Sequence, residues 1–253
     1  MNPTVEHDLR PRNDRSDAFG HALLDHLEGR AGTEFIERDD GFIDVATRDV
    51  GTYFSSLAEW PDHEREAVSF ASGRCLDIGC GAGRVLLELQ ERGLEAVGVD
   101  VSPLALEVCR RRGARDVRRL SIQDLDPSLG QFDTILMMGN NFGLFGTPSR
   151  ARRLLRRFLD ITTNQARILA EVLDPYRTSD PFHLEYHRRN RDAGRLGGQL
   201  EIRVRYKVYR TEWFNYLFVS EPEMRSIVVG TGWALRRVIP SAGATYVGVL
   251  ERE

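Results

Sequence analysis

The sequence predicts an α/β fold built on a parallel sheet covered on both faces. Three observations carry this: apolar runs alternate with helical runs from Arg74 to Val172, a turn with glycine at every second position follows the first of those runs, and the pattern changes to period-two alternation near Leu200. The chain has 253 residues, enough for one large domain or two small ones. Hydrophobic residues make up 41% and charged residues 29%, which excludes collagen-like, low-complexity and largely disordered classes.

The elements are expected in the following order. Residues 1–20 are polar and charge-rich (Asp8, Arg10, Arg12, Asp14, Arg15, Asp17) and are expected to stay mobile until something docks on them. His21–Leu27 reads as a short helix, and Asp40-Gly41 as a turn between the apolar pairs Phe35-Ile36 and Phe42-Ile43. Residues 62–71 read as a helix after Pro61. Strands are predicted at Cys75–Ile78, Glu95–Val99, Asp116–Leu120, Phe132–Met138 and Ala166–Val172. Helices lie between them: Arg84–Arg92 stopped by Gly93, Pro103–Arg112 capped by Ser102, and Pro148–Asp160 capped by Thr147. Residues 175–198 look irregular, polar and rich in Arg and His. Leu200–Tyr209 alternates, with Leu200, Ile202, Val204, Tyr206 and Val208 on one face, and Trp213–Val219 reads as a second strand. Ser220-Glu221-Pro222-Glu223 is a capping-box start to a helix reaching about Gly230, and Trp233–Ile239 with Thr245–Leu250 reads as a closing antiparallel pair.

Charge and composition narrow the function classes. A net charge of −3 argues against a DNA-wrapping or polybasic membrane protein, and the near-absence of lysine (Lys207 alone) reflects coding bias more than recognition chemistry. No run approaches the ~20 consecutive apolar residues of a membrane helix. Met1–Asp8 has neither the basic nor the apolar region of a secretory signal. Cys75, Cys80 and Cys109 are odd in number and lack C-x-x-C spacing, so neither a disulfide framework nor a zinc site is indicated. A reduced, cytoplasmic protein without a metal is expected.

The stretch that carries chemistry is Cys75-Leu76-Asp77-Ile78-Gly79-Cys80-Gly81-Ala82-Gly83-Arg84. An apolar strand ends at an acid, the chain turns through three glycines, and a helix begins. Gly79 permits a tight turn, and Gly81 and Gly83 are expected to let bare backbone approach a ligand. The next apolar strand ends at Asp100, where a carboxylate is placed to hold a ribose diol outside the carboxyl ends of the strands. The dinucleotide fingerprint G-x-G-x-x-G would need glycine at position 84, where Arg84 stands, so an NAD-dependent oxidoreductase ranks last.

The D-x-G-x-G-x-G form resembles motif I of the class I S-adenosylmethionine-dependent methyltransferases, over about Arg74 to Val172. That resemblance implies a Rossmann-like fold with a mostly parallel seven-stranded sheet, an antiparallel terminal strand and helices on both faces. It implies S-adenosylmethionine as cofactor, leaving S-adenosylhomocysteine, with Asp77, Gly79, Cys80, Gly81 and Gly83 at the methionyl part and Asp100 with Val101 at the ribose. Ser121, Ile122 and Gln123 (or Asp124) correspond by position to the adenine segment, and Gly139 and Asn140 to the loop after strand four. The base-amine methyltransferase signature Asn/Asp-Pro-Pro-Tyr/Phe is missing from Asn140-Asn141-Phe142, so DNA is not an expected substrate; Asp174-Pro175-Tyr176 follows the wrong strand.

The resemblance leads to a domain reading: residues 1–70 form an N-terminal helical lid or cap, and residues 71–253 form the cofactor domain with an insertion at 175–219 that completes the lid. His183 and His187, spaced i, i+4, are the candidate bases if their segment is helical. Tyr53, Phe142 and Tyr176 are candidate acceptor contacts. Tyr53, Phe54 and Trp60 read equally as packing, and Trp213, Phe214 and Tyr216 as core or cap lining. The arginine clusters 152–153, 156–157 and 188–189 read as solvated faces. A small-molecule acceptor, no DNA, no membrane, and a monomer or homodimer are expected. RNA or protein methylation and a non-catalytic cofactor-binding subunit are the competing readings.

Overall fold

Punctuation in the sequence falls where the elements begin and end. The computed structural model describes residues 10–45 and 49–253. In chain order the helices are α1 (Ala18–Leu27), α2 (Asp62–Ser69), α3 (Arg84–Glu91), α4 (Pro103–Arg111), α5 (Pro148–Phe158), α6 (Pro181–Asp192) and α7 (Glu221–Val228). The strands are β1 (Glu34–Arg38), β2 (Ile43–Val45), β3 (Cys75–Ile78), β4 (Ala96–Asp100), β5 (Val117–Arg119), β6 (Phe132–Met137), β7 (Thr162–Leu173), β8 (Gln199–Tyr206), β9 (Tyr209–Arg210), β10 (Phe214–Leu217), β11 (Trp233–Pro240) and β12 (Thr245–Arg252).

Seven strands form the main sheet in the order β11-β12-β7-β6-β3-β4-β5. The neighbours from β7 to β5 are parallel, and β12 runs antiparallel to both β7 and β11. This is the expected Rossmann-like sheet. Its order reverses between β3 and β6, and ligands of open α/β sheets bind at such a switch point, outside the carboxyl ends of the strands. One face packs against α2, α3 and α4 through residues such as Val68, Leu86, Leu89 and Leu106. The other face packs against α5 and α7 through Leu154, Leu155, Phe158, Met224 and Ile227. The predicted caps are present: Ser102 accepts the N–H of Ala105, Thr147 that of Arg150, and Ser220 with Glu223 forms a capping box.

A second, antiparallel sheet stands over the switch point, in the order β10-β8-β1-β2 with β9 on β8. Here the structure departs from expectation in three ways. The 1–70 segment is not simply helical, because β1 and β2 form a hairpin and β1 pairs along its whole length with β8, Ile36 opposite Val204. That pairing joins segments more than 160 residues apart, which local patterning does not reveal. Residues 181–192 of the segment read as irregular form α6, with Asp180 as N-cap and Pro181 in the first turn. The strand read as 200–209 ends at Tyr206: Lys207 adopts φ +50°, the chain reverses, and Val208 is exposed rather than on the apolar face. The part of 1–20 expected to be mobile that falls on residues 1–9, including Asp8, lies outside the described residues; Asp17, further along, is buried at the start of α1. Among the described residues no helix is long and apolar enough to cross a membrane.

Candidate active site

Between the glycine turn and the second sheet lies a cavity of about 610 Å³, within the range of small-molecule and cofactor sites. Its floor is the switch point: Asp77, Gly79, Cys80, Gly81, Asp100, Val101, Ile122, Gly139 and Asn140 all line it. Gly81 has φ +53°, a backbone that side chains disfavour, and a Cβ there meets only the Phe19 ring, at 3.5 Å, across the cavity. Gly83 does not line the cavity. It caps α3 at φ +82°, and a Cβ there falls 2.6 Å from Cys109 Sγ, so its role is to let α3 and α4 approach.

Asp100, at the end of β4, is buried with its carboxylate held by the turn itself. Oδ2 accepts the N–H of Gly81 and Oδ1 that of Ser102, both at 2.9 Å. Burial raises its pKa and these two hydrogen bonds oppose the rise. A carboxylate has about four acceptor positions, so these bonds do not exhaust its capacity.

Three buried atoms on this floor have no hydrogen-bond partner: Asp77 Oδ2, Asn140 Oδ1 and Arg84 Nη1. Two unfilled acceptors and one unfilled guanidinium N–H around one hollow match a ligand that brings an ammonium and a carboxylate, as the methionyl end of S-adenosylmethionine does. Burial pushes the Asp77 carboxyl up to about 7, with the Asp100 charge adding and Arg84 opposing. Arg84 is anchored from behind: Nη2 donates to Glu64 at 2.6 Å, and its guanidinium lies 4.3 Å over the Trp60 ring. Glu171 accepts the N–H of Gly139 and stands 3.4 Å from His63 Nε2. His63, Glu64 and Glu171 lie within cation-site spacing of one another, but each is already engaged. They brace the floor rather than face the hollow.

The roof is the inward face of the second sheet: Ile36 and Glu34 of β1, Ile202 and Val204 of β8, and Phe214 and Tyr216 of β10. Tyr53 closes one side, edge-on to Phe19 at 5.2 Å. Both candidate histidines line the cavity from α6. Arg38 Nη1 lies 3.0 Å from His183 Nδ1. His187 is buried, which lowers its pKa to about 4, with His183, Arg191 and Arg38 adding. It is therefore neutral, and a weak base, at pH 7.

Other predicted contacts lie elsewhere. Phe142 is fully buried against Phe145, an apolar ring drawn into the core beside β6. Tyr176 points away from the cavity, donating to Glu223 at 2.6 Å. Ser121 and Gln123 hold the turn after β5, where Ser121 Oγ accepts the N–H of Gln123, and leave only Ile122 facing the hollow. Trp60 packs under Arg84, and Phe54 stacks on His26 with Arg112 over it. Arg84 and Glu34 are absent from the sequence-derived site. Arg84 was read only as the residue that breaks the dinucleotide fingerprint, and Glu34 faces the cavity only once β1 has paired with β8.

Residues 75–164 match the family described as "Methyltransferase domain". The chain is 38% identical over 69 residues to the magnesium-protoporphyrin O-methyltransferase of Rhodobacter capsulatus, covering 26% of this chain and 31% of that protein. It is 32% identical over 83 residues to the ubiquinone biosynthesis O-methyltransferase of Dechloromonas aromatica, covering 30% of this chain and 34% of that protein. The chain thus spans about a third of the length of these curated relatives. A SAM-dependent methyltransferase from Bacteroides fragilis, solved with S-adenosyl-L-homocysteine, superposes with a TM-score of 0.80 at 25% identity, over 95% of this chain and 96% of that one. The CcbJ methyltransferase from Streptomyces caelestis shares the fold at a TM-score of 0.56 and 17% identity, over 81% of this chain and 99% of that one. The fold and the switch-point site define a Rossmann-like nucleoside-cofactor protein. Within that class, residues 75–164 carry a methyltransferase domain, and the chain shares its fold with a SAM-dependent methyltransferase solved with S-adenosyl-L-homocysteine.

Proposed function

We propose that this protein transfers a methyl group from S-adenosylmethionine to a small-molecule acceptor. The observation that carries the reading is that Asp77, Arg84, Asp100 and Asn140 line one cavity, and that Asp77 Oδ2, Asn140 Oδ1 and Arg84 Nη1 are buried there without a hydrogen-bond partner. In this reading Asp100 takes the ribose diol, Ile122 covers the adenine, Arg84 holds the carboxylate and Asp77 with Asn140 the ammonium. When bound, the cofactor supplies an electrophilic methyl on a sulfonium that is already a good leaving group. The protein's part is alignment and exclusion of water, and alignment alone can supply ~7–11 kcal/mol. A small acceptor is favoured because the second sheet covers the cavity with Ile36, Ile202, Val204 and Phe214.

The test is equilibrium binding followed by turnover. S-adenosylhomocysteine is expected to bind and raise Tm while NAD does neither. Cofactor consumption is expected with a desalted small-metabolite fraction and not with RNA or unfolded protein. Failure of S-adenosylhomocysteine to bind sinks the proposal, and turnover on a polymer alone sinks the choice of acceptor.

A further inference from the structure

The roof of the cavity carries a carboxylate that nothing in the fold explains. Glu34 is only 5% exposed, yet its carboxylate makes no hydrogen bond or ion pair among the described residues. The cavity's other buried acids are compensated. Asp17 and Asp100 accept backbone N–H groups, and Asp77 has the Arg84 guanidinium beside it. Arg38, the one cation on the same strand face, is occupied by Asp40 through two bonds of 2.8 Å. Beside Glu34 stand Ile36, next on its strand face, Val204 across from Ile36, and directly across from Glu34 the Tyr206 ring, whose hydroxyl is engaged by Asp25. Burying an acid in such surroundings is costly unless a partner arrives. An uncompensated buried acid in a ligand cavity is the signature of a functional group.

From this juxtaposition, and resting on the methyltransferase reading, we infer that Glu34 recognises the acceptor and that the acceptor is a small amine presented to it as an ammonium. Six carboxylates and three guanidiniums line the cavity, so a cation is attracted where a carboxylate or phenolate acceptor is repelled. The surrounding Ile36, Ile202, Val204 and Phe214 call for an apolar body on that amine. Glu34 also accounts for the proton. An ammonium has no lone pair, so one proton passes from nitrogen to a Glu34 carboxylate oxygen before attack. The freed pair then forms the N–C bond while the pair of the breaking C–S bond stays on sulfur. The positive charge moves from sulfonium to the methylated nitrogen, so atoms and charge balance without a further reactant. Burial pushes the Glu34 carboxyl up to about 7, a value suited to taking that proton near neutral pH.

The experiment uses the full chain saturated with S-adenosylhomocysteine and a panel of small primary and secondary amines, each matched with its alcohol and its carboxylic acid. Binding is read from the methyl resonances of Ile36, Ile202 and Val204. Amines are expected to bind at least about tenfold more tightly than their matched alcohols, as a charge-assisted hydrogen bond implies. In Glu34→Gln that preference is expected to shrink to about twofold or less, while affinity for S-adenosylhomocysteine is unchanged. Glu34→Asp, a shortened carboxylate, is expected to restore part of it. The inference is overturned if no amine binds, if alcohols or acids bind as well, if the preference survives Glu34→Gln, or if Glu34→Gln weakens S-adenosylhomocysteine and so marks Glu34 as a cofactor contact. If the wild-type chain fails to take S-adenosylhomocysteine at all, it is the methyltransferase reading that fails instead.

Discussion

Asp17 Oδ2 accepts the hydroxyl of Ser102 at 2.9 Å, joining the start of α1 to the end of the strand that carries Asp100. The same oxygen lies 3.3 Å from the N–H of Leu104, and Asp17 Oδ1 accepts the N–H of Gly20 at 3.2 Å. One buried carboxylate therefore caps α1 and holds the first turn of α4, tying the two helices together.

Replacing Asp17 by Ala is expected to remove these bonds, costing about 1–3 kcal/mol. Tm should fall by roughly 2–4 °C for each kcal/mol in a chain of this size. S-adenosylhomocysteine affinity should fall with it, because Phe19 beside Gly81 is carried by α1 and packs edge-on against Tyr53. Calorimetry with and without ligand checks both, and an unchanged Tm would show the bonds to be dispensable.

Asp100→Asn and Asp100→Ala should differ. Either change is expected to weaken S-adenosylhomocysteine by about 1.5–3 kcal/mol through loss of the charged acceptor. The alanine variant also strands the N–H groups of Gly81 and Ser102, so it should lose stability without ligand as well. Titration calorimetry alongside thermal melts separates the two effects, and full affinity in Asp100→Asn would remove Asp100 from the ribose site.

Arg84→Met leaves Glu64 buried without its cation, an arrangement that costs about 3–5 kcal/mol. The double variant Arg84→Met/Glu64→Gln should recover most of that stability. It should still bind S-adenosylhomocysteine poorly, since the donor Nη1 is gone. Recovered affinity in the double variant would show that Arg84 only supports the fold.

Glu34 makes stability depend on pH in a defined direction. Its folded-state pKa, about 7, lies above the ordinary 4.5, so between these values the folded chain holds a proton that the unfolded chain has released. That contribution is complete below about pH 4.5 and is lost as pH rises through 7. Relative to wild type, Glu34→Gln should gain stability between pH 5 and 8, by up to about 3 kcal/mol. Denaturant melts at several pH values check this, and a difference independent of pH would mean that Glu34 is solvated.

Phe142→Ala should cost about 3–5 kcal/mol, because the ring fills the core against Phe145. Acceptor selectivity in the protein that remains folded should be unaltered. A changed selectivity would return Phe142 to the acceptor site.

The floor of the candidate site was legible in the sequence because its pattern is local. Strand, acid, glycine turn and helix are contiguous from Cys75 to Arg84, and Asp100 ends the next strand. The helix carrying His183 and His187 was also written locally, in Asp180-Pro181, but was obscured by the polar residues that follow. The roof was not legible. Glu34 and Ile36 face the cavity only because β1 pairs with β8, and nothing near residue 34 encodes a partner near residue 204. Position in a motif also overstated some roles: Ser121, Gln123 and Gly83 stand beside cavity residues yet serve turns and helix packing.

A roof woven from an early hairpin and the strands of residues 199–217 has a consequence for anyone rebuilding this protein. Clipping off the first 45 residues would not simply widen the entrance; it would leave β8 with an unsatisfied edge, inviting self-association. Grafting a new specificity from a homologue would likewise require transplanting the early hairpin and the late strands as a matched set.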